Sequence, residues 1–121
     1  MCAFGPNIGL NLIALHTLLL EAKLTGVEVN ERAAKKLAEL GYVMVRQELF
    51  YDVPLTKQYD LVIAGGVLIH QDPSMLNEAY NILYCSSKRY ILTCDYYNAT
   101  PVEVEYYGNH LVLFKRDFAV N

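Results

Sequence analysis

Tryptophan is absent from the chain, and lysine and arginine never gather into a run. With 10 basic against 13 acidic residues the formal charge is −3, so neither nucleic acid nor an anionic membrane is expected as a partner. Cysteine is scarce: Cys2, Cys85 and Cys94 are an odd number with no paired metal-ligand spacing. They read as reduced, mostly packed thiols of a cytoplasmic protein, and no metal site is expected. No apolar run is long enough to span a bilayer, since Leu10–Leu20 is short and interrupted by Asn11, His16 and Thr17. That run also lacks the basic flank and cleavage site of a signal peptide. Neither an internal repeat nor a Ser-His-Asp order is visible, so hydrolysis finds no support.

What is present is apolar: 54% of the 121 residues are hydrophobic and ten are tyrosine, enough for one globular domain over residues 1–121. Its organising stretch is Phe4-Gly5-Pro6-Asn7-Ile8-Gly9, which leads into an apolar helical run over Leu10–Lys23. Glycine and asparagine accept the left-handed backbone that a tight turn demands. Such a turn brings backbone N–H groups and a helix N-terminus to a ligand with no side chain in the way. Further on, Leu24-Thr25-Gly26-Val27-Glu28 reads as a strand ending in a carboxylate. Strand, glycine turn, helix, strand and acid form the nucleotide-binding βαβ unit, in which the acid takes the ribose hydroxyls. A plain glycine turn is the competing reading. Leu10 stands where a dinucleotide fingerprint wants its third glycine, which disfavours a nicotinamide-dependent oxidoreductase.

The remaining segments continue the alternation. Asn30 caps a helix whose buried stripe is Ala33, Ala34, Leu37, Ala38 and Leu40, and Gly41 stops it. Tyr42–Arg46 is a third strand, and Glu48 beyond it is a candidate for the adenine amino group or a solvated loop acid. Tyr59–Ala64 is a central strand, apolar on both faces, ending in Gly65-Gly66. A helix over Met75–Cys85 and a fifth strand over Tyr90–Cys94 follow. Val102–Tyr106 and His110–Phe114 alternate around a Tyr107-Gly108-Asn109 turn, which predicts a C-terminal β-hairpin. The sheet is expected to be parallel in the order 3-2-1-4-5, with Gly5 and Gly65-Gly66 facing each other at its switch point.

Several pieces resemble a known family. Phe4–Leu12, Gly26–Ala34 and Tyr59–Pro73 look like class I S-adenosylmethionine-dependent methyltransferases. Asp95–Gly108 and Leu113–Ala119 resemble, more narrowly, the methylases associated with pseudaminic acid biosynthesis. The resemblance implies a Rossmann-like α/β three-layer sandwich that binds S-adenosylmethionine. It assigns Gly5, Asn7 and Gly9 to the methionine end of the cofactor and Glu28, with Val29 beside it, to the ribose. Gly65 and Gly66 fall on the methyl-donor side, and the implied acceptor is a sugar or nucleotide-sugar intermediate. Ala3 stands where the family usually has an acid, and the chain is short at both ends, as expected of a shortened methyltransferase.

Methyl transfer is displacement at an activated carbon, so orientation dominates and a base is needed only where the acceptor carries a proton. His70, at the mouth of the fourth strand, and Asp95 and Tyr96, at the mouth of the fifth, are the catalytic candidates. The competing readings are a capping or loop histidine and an aromatic wall without a proton role. The expected function is methyl transfer to a small polar acceptor; the alternative is a cofactor-binding or assembly remnant without turnover. Open sheet edges and the hairpin predict a homo-oligomer.

Overall fold

The computed structural model describes residues 1–119; residues 120 and 121 of the expected domain lie outside the described residues. Five short strands, β1 (Cys2–Phe4), β2 (Leu24–Val27), β3 (Val43–Arg46), β4 (Tyr59–Gly65) and β5 (Ser87–Cys94), form one parallel sheet. Its order is β3-β2-β1-β4-β5, with Ala3 opposite both Gly26 and Ile63. The chain reverses direction through the sheet beside β1, so the ends of β1 and β4 open onto a crevice.

Alternation along these strands builds two cores. Cys2, Phe4, Val62 and Ala64 face one way and pack with Ala79, Ile82 and Leu83 of α3 (Leu76–Ser86). Ala3, Leu24 and Ile63 face the other way, onto Leu12 of α1 (Leu10–Leu18) and Leu37 of α2 (Glu31–Glu39). The result is a three-layer α/β sandwich. Asn30 caps α2 by accepting a hydrogen bond from the Ala33 N–H at 3.0 Å.

Two expectations for the helices need correction. The first helix ends at Leu18, not Lys23. The chain turns back after Leu18 so that Lys23 returns to the sheet, where its carbonyl accepts the terminal ammonium at 2.8 Å. Leu18 and Leu20 therefore overrun the sheet and are 77% and 74% exposed. In α2, Ala38 is exposed and only Ala33, Ala34 and Leu37 are fully buried, because a single sheet face takes a single stripe. The thiols, expected to be mostly packed, divide: Cys2 is buried, Cys85 half-buried and Cys94 exposed on the edge strand.

Strands β6 (Val102–Tyr106) and β7 (Asn109–Lys115) form the antiparallel hairpin as a sheet of their own. The hairpin does not extend the main sheet. It folds back on the short turn Leu68–His70, with Leu113 2% exposed beneath it. No helix among the described residues is long and apolar enough to cross a membrane.

Candidate functional site

The turn after β1 is left-handed at Gly5, Asn7 and Gly9, with φ of 59°, 53° and 89°. Gly9 has a second constraint, because a Cβ there would run into the Leu37 side chain. The turn is closed by the Gly9 N–H on the Pro6 carbonyl at 2.9 Å, and α1 starts from the Gly9 carbonyl, which accepts from Ile13 N–H at 2.8 Å.

Glu28 holds this turn. Its Oε2 accepts from the Asn7 N–H at 2.8 Å and its Oε1 from the Asn30 N–H at 2.9 Å. The carboxylate is thereby fixed between the glycine turn and the N-cap of α2, with the residue 7% exposed. Each oxygen uses one of its two acceptor positions on the backbone and keeps one for a ligand.

Three cavities follow one another along the carboxyl edge of the sheet. The first, about 620 Å³, is lined by Asn7, Glu28, Val29, Glu48 and Phe50 and reaches His70. A second, about 430 Å³, lies between the turn and the end of β4 and is lined by Gly5, Asn7, Asn11, Gly65 and Gly66. A third, about 370 Å³, is lined by Cys94, Asp95, Tyr96, His70, Tyr106 and Leu113. Gly66 borders all three, and His70 borders the first and third. Gly66 is held there at φ 68° with its N–H on the Cys94 carbonyl at 2.8 Å.

The sequence-derived candidates thus separate into groups. Gly5, Asn7, Glu28, Val29 and Glu48 share the first cavity with Gly66; Gly65 sits in the second. Gly9 lines none of the three and acts as the hinge from turn to helix. Glu48 is engaged with its own strand, through an ion pair with Arg46 Nε at 2.6 Å. His70, Asp95 and Tyr96 meet in the third cavity. Tyr97 and Asn98, which follow Tyr96 in the chain, line none of these cavities; the Asn98 side-chain amide donates to the Thr100 carbonyl instead. The second aromatic ring is Tyr106, delivered by the hairpin, 5.4 Å from the His70 ring. No local feature of the sequence marks Tyr106, since its arrival depends on where the hairpin docks. Phe50 and Val67 were likewise missed; both sit in irregular segments without a periodic signal.

Two polar groups of the third cavity are fixed by backbone. Asp95 Oδ1 accepts from the Ile69 N–H at 3.3 Å, which ties the end of β5 to the turn that carries His70. Burial pushes the Asp95 carboxyl above the usual range, opposed by backbone N–H groups of residues 67–69 and by His70. His70 Nδ1 lies 2.6 Å from the Val112 carbonyl of β7. Cys2, deep in the sheet, has its thiol pushed up to about 12 by burial, so it stays protonated. His16, away from every cavity, stacks on Tyr42 at 3.7 Å. Among the described residues no group of three or more His, Cys, Asp or Glu side chains is arranged to hold a metal ion.

No family model matches the chain, and no curated protein does. Among solved structures it is similar to a Listeria monocytogenes protein assigned as an S-adenosylmethionine-dependent methyltransferase. The TM-score is 0.67 at 14% identity, covering 95% of this chain and 68% of that one. It is also similar to an S-adenosylmethionine-dependent methyltransferase from Mesorhizobium loti, with a TM-score of 0.64 at 12% identity. There the likeness covers 98% of this chain and 58% of that one. Identities this low speak for backbone architecture, and nothing in them bears on the narrower resemblance to pseudaminic acid-associated methylases. The chain has the Rossmann-like fold of these methyltransferases.

Proposed function

We propose that the chain binds S-adenosylmethionine along the carboxyl edge of its sheet and transfers the methyl group to a small polar acceptor. The observation that carries this reading is the row of cavities meeting at Gly66. The residues fit the cofactor chemically. Glu28 keeps free acceptor positions for ribose hydroxyls, Val29 and Phe50 offer apolar walls to an adenine, and Gly66 leaves open space, with nothing within 4 Å of where a Cβ would stand. Glu48 stands at the same wall as an acceptor for an adenine amino group. When bound, the cofactor supplies a methyl carbon already activated on a sulfonium.

The chain's own residues then orient and deprotonate. The glycine turn and Gly65-Gly66 hold the methionine portion, and Tyr96 with Tyr106 walls the acceptor. His70 is the base where the acceptor must lose a proton, because Nδ1 is held on the Val112 carbonyl and Nε2 of the neutral ring is left to accept. The narrower family resemblance adds a sugar or nucleotide-sugar acceptor, and the three free cysteines suit a cytoplasmic setting.

Titration calorimetry with S-adenosylmethionine tests the reading. Saturable binding to the pure protein, with none for NAD, is the expected result; no binding sinks it. His70→Ala should lower turnover while leaving cofactor affinity within about twofold, since His70 is not assigned to ribose or adenine. Binding without transfer to any acceptor would favour the cofactor-binding remnant.

A further inference from the structure

The cavity between β5 and the hairpin contains one carboxylate, one imidazole, two phenol rings and the apolar Ile69 and Leu113. No lysine or arginine lines it; the nearby Lys115 is spent on the Tyr96 ring, with its Nζ 5.2 Å from the centroid. Two polar atoms set its preference. Asp95 Oδ2 is buried and makes no hydrogen bond, since the Val67 and Leu68 N–H groups lie near the carboxylate but only the Ile69 N–H bonds it, through Oδ1. A carboxylate oxygen taken out of water without a donor is costly, and a cationic N–H donor relieves it best. The second atom is His70 Nε2. The Val112 carbonyl can only accept, so Nδ1 at 2.6 Å must donate, and Nε2 of the neutral ring keeps its lone pair.

We propose that this cavity is the acceptor site and that it takes a small, ring-sized molecule bearing an amine. Asp95 holds the ammonium form, Tyr96 and Tyr106 wall it, and His70 Nε2 receives the proton the amine must lose. The proposal rests on the methyltransferase reading and names the reacting group of its acceptor. Aromatic faces favour cations, so the rings and the carboxylate select the same charge. An anionic acceptor would meet Asp95 with no cation in the wall to offset it, so within the class suggested by the family resemblance an amino sugar fits and a nucleotide-sugar does not. An aliphatic hydroxyl carries no charge to pair with Asp95 and is too weak an acid for imidazole. The balance is closed: the ammonium gives one proton to Nε2, the free amine lone pair forms the N–C bond, and the methyl–sulfur bond breaks to leave a neutral thioether. The imidazolium then passes its proton to water. The hairpin supplies Tyr106 and, through Val112, the tautomer of the base, so it is the element that makes this cavity an amine site.

Cyclohexylamine and cyclohexanol, which share a ring and differ in the head group, test this by NMR titration of the labelled protein, with and without S-adenosylhomocysteine. The amine should shift resonances of Tyr96, Tyr106 and Leu113 and bind at least about tenfold more tightly than the alcohol. Asp95→Asn should reduce that advantage below about threefold. Tyr106→Ala, on an exposed strand and so safe for folding, should weaken the amine by about tenfold. Equal binding of the two probes, an advantage untouched in Asp95→Asn, or no shifts at these residues overturns the proposal. Calorimetry with S-adenosylmethionine on the same sample separates the two ideas. Cofactor binding without amine selectivity sinks only the amine site, and amine selectivity without cofactor binding sinks the methyltransferase reading.

Discussion

At the scale of single residues, Glu28 has two tasks. Its oxygens hold the Asn7 and Asn30 N–H groups, and the same carboxylate faces the first cavity. Charge-assisted hydrogen bonds of this kind contribute roughly 1.5–3 kcal/mol each. Glu28→Ala should therefore weaken S-adenosylmethionine by at least about tenfold, a decade being ~1.4 kcal/mol, and should also lower stability. A folded variant with unchanged affinity by calorimetry would remove Glu28 from the ribose. Asp95 gives a pH prediction. Its folded-state pKa is raised by burial, so the folded protein keeps this proton to higher pH than the unfolded chain does. Its contribution to stability is full below the usual carboxylate pKa and falls as pH rises through the raised value. Asp95→Asn cannot titrate, so its denaturant stability should decline less than wild type from acid to neutral pH. Parallel pH curves for the two proteins would contradict this.

At the scale of elements, the turn and α2 are interlocked. Ala at position 9 would have to adopt φ near 89° and displace Leu37. Left-handed backbone costs roughly 1–2 kcal/mol and overpacking typically 1–3 kcal/mol. Gly9→Ala should thus lose about 2 kcal/mol or more in urea denaturation. Gly41→Ala is the internal control. Gly41 also has positive φ, 79°, but nothing lies within 4 Å of its added Cβ, so only the backbone cost applies. Equal losses in the two variants would show that the Leu37 contact has no energetic weight. The hairpin shows a different relation between sequence and structure. Its strands and turn were legible from alternation around Tyr107-Gly108, because pairing is local. Its docking on the His70 turn was not, because it depends on Leu113 finding a buried place far away in the chain.

At the scale of the whole molecule, the sheet ends at β3 and β5, and β5 leaves Tyr90, Ile91 and Leu92 exposed. Unpaired parallel edges with apolar side chains invite another chain. Leu10, Leu18 and Leu20 add an apolar surface on α1. The expected behaviour is self-association through the β5 edge at high micromolar concentration, with the hairpin already occupied against its own domain. Light scattering that shows a clean monomer at that concentration would reject it. A lysine in place of Ile91 should weaken the association without unfolding the domain, since that side chain is exposed.

By itself the sequence determined the element types, the sheet order and the turn with its acid, because these follow from hydrophobic period, glycine chemistry and short-range spacing. The run Tyr59–Ala64, apolar on both faces, already implied that both faces of the sheet would be covered. Only the tertiary structure decided which side chains share a cavity. The helix α1 ends at Leu18 and leaves Leu18 and Leu20 exposed, although the apolar run suggested a longer helix. Glu28 became a backbone clamp as well as a candidate ligand because Asn7 and Asn30 converge on it. Tyr106 reached His70, and Tyr97 did not, because the hairpin packs as a separate sheet across the turn. Such convergence depends on loop closure and docking between distant segments, and a one-dimensional pattern contains no record of either.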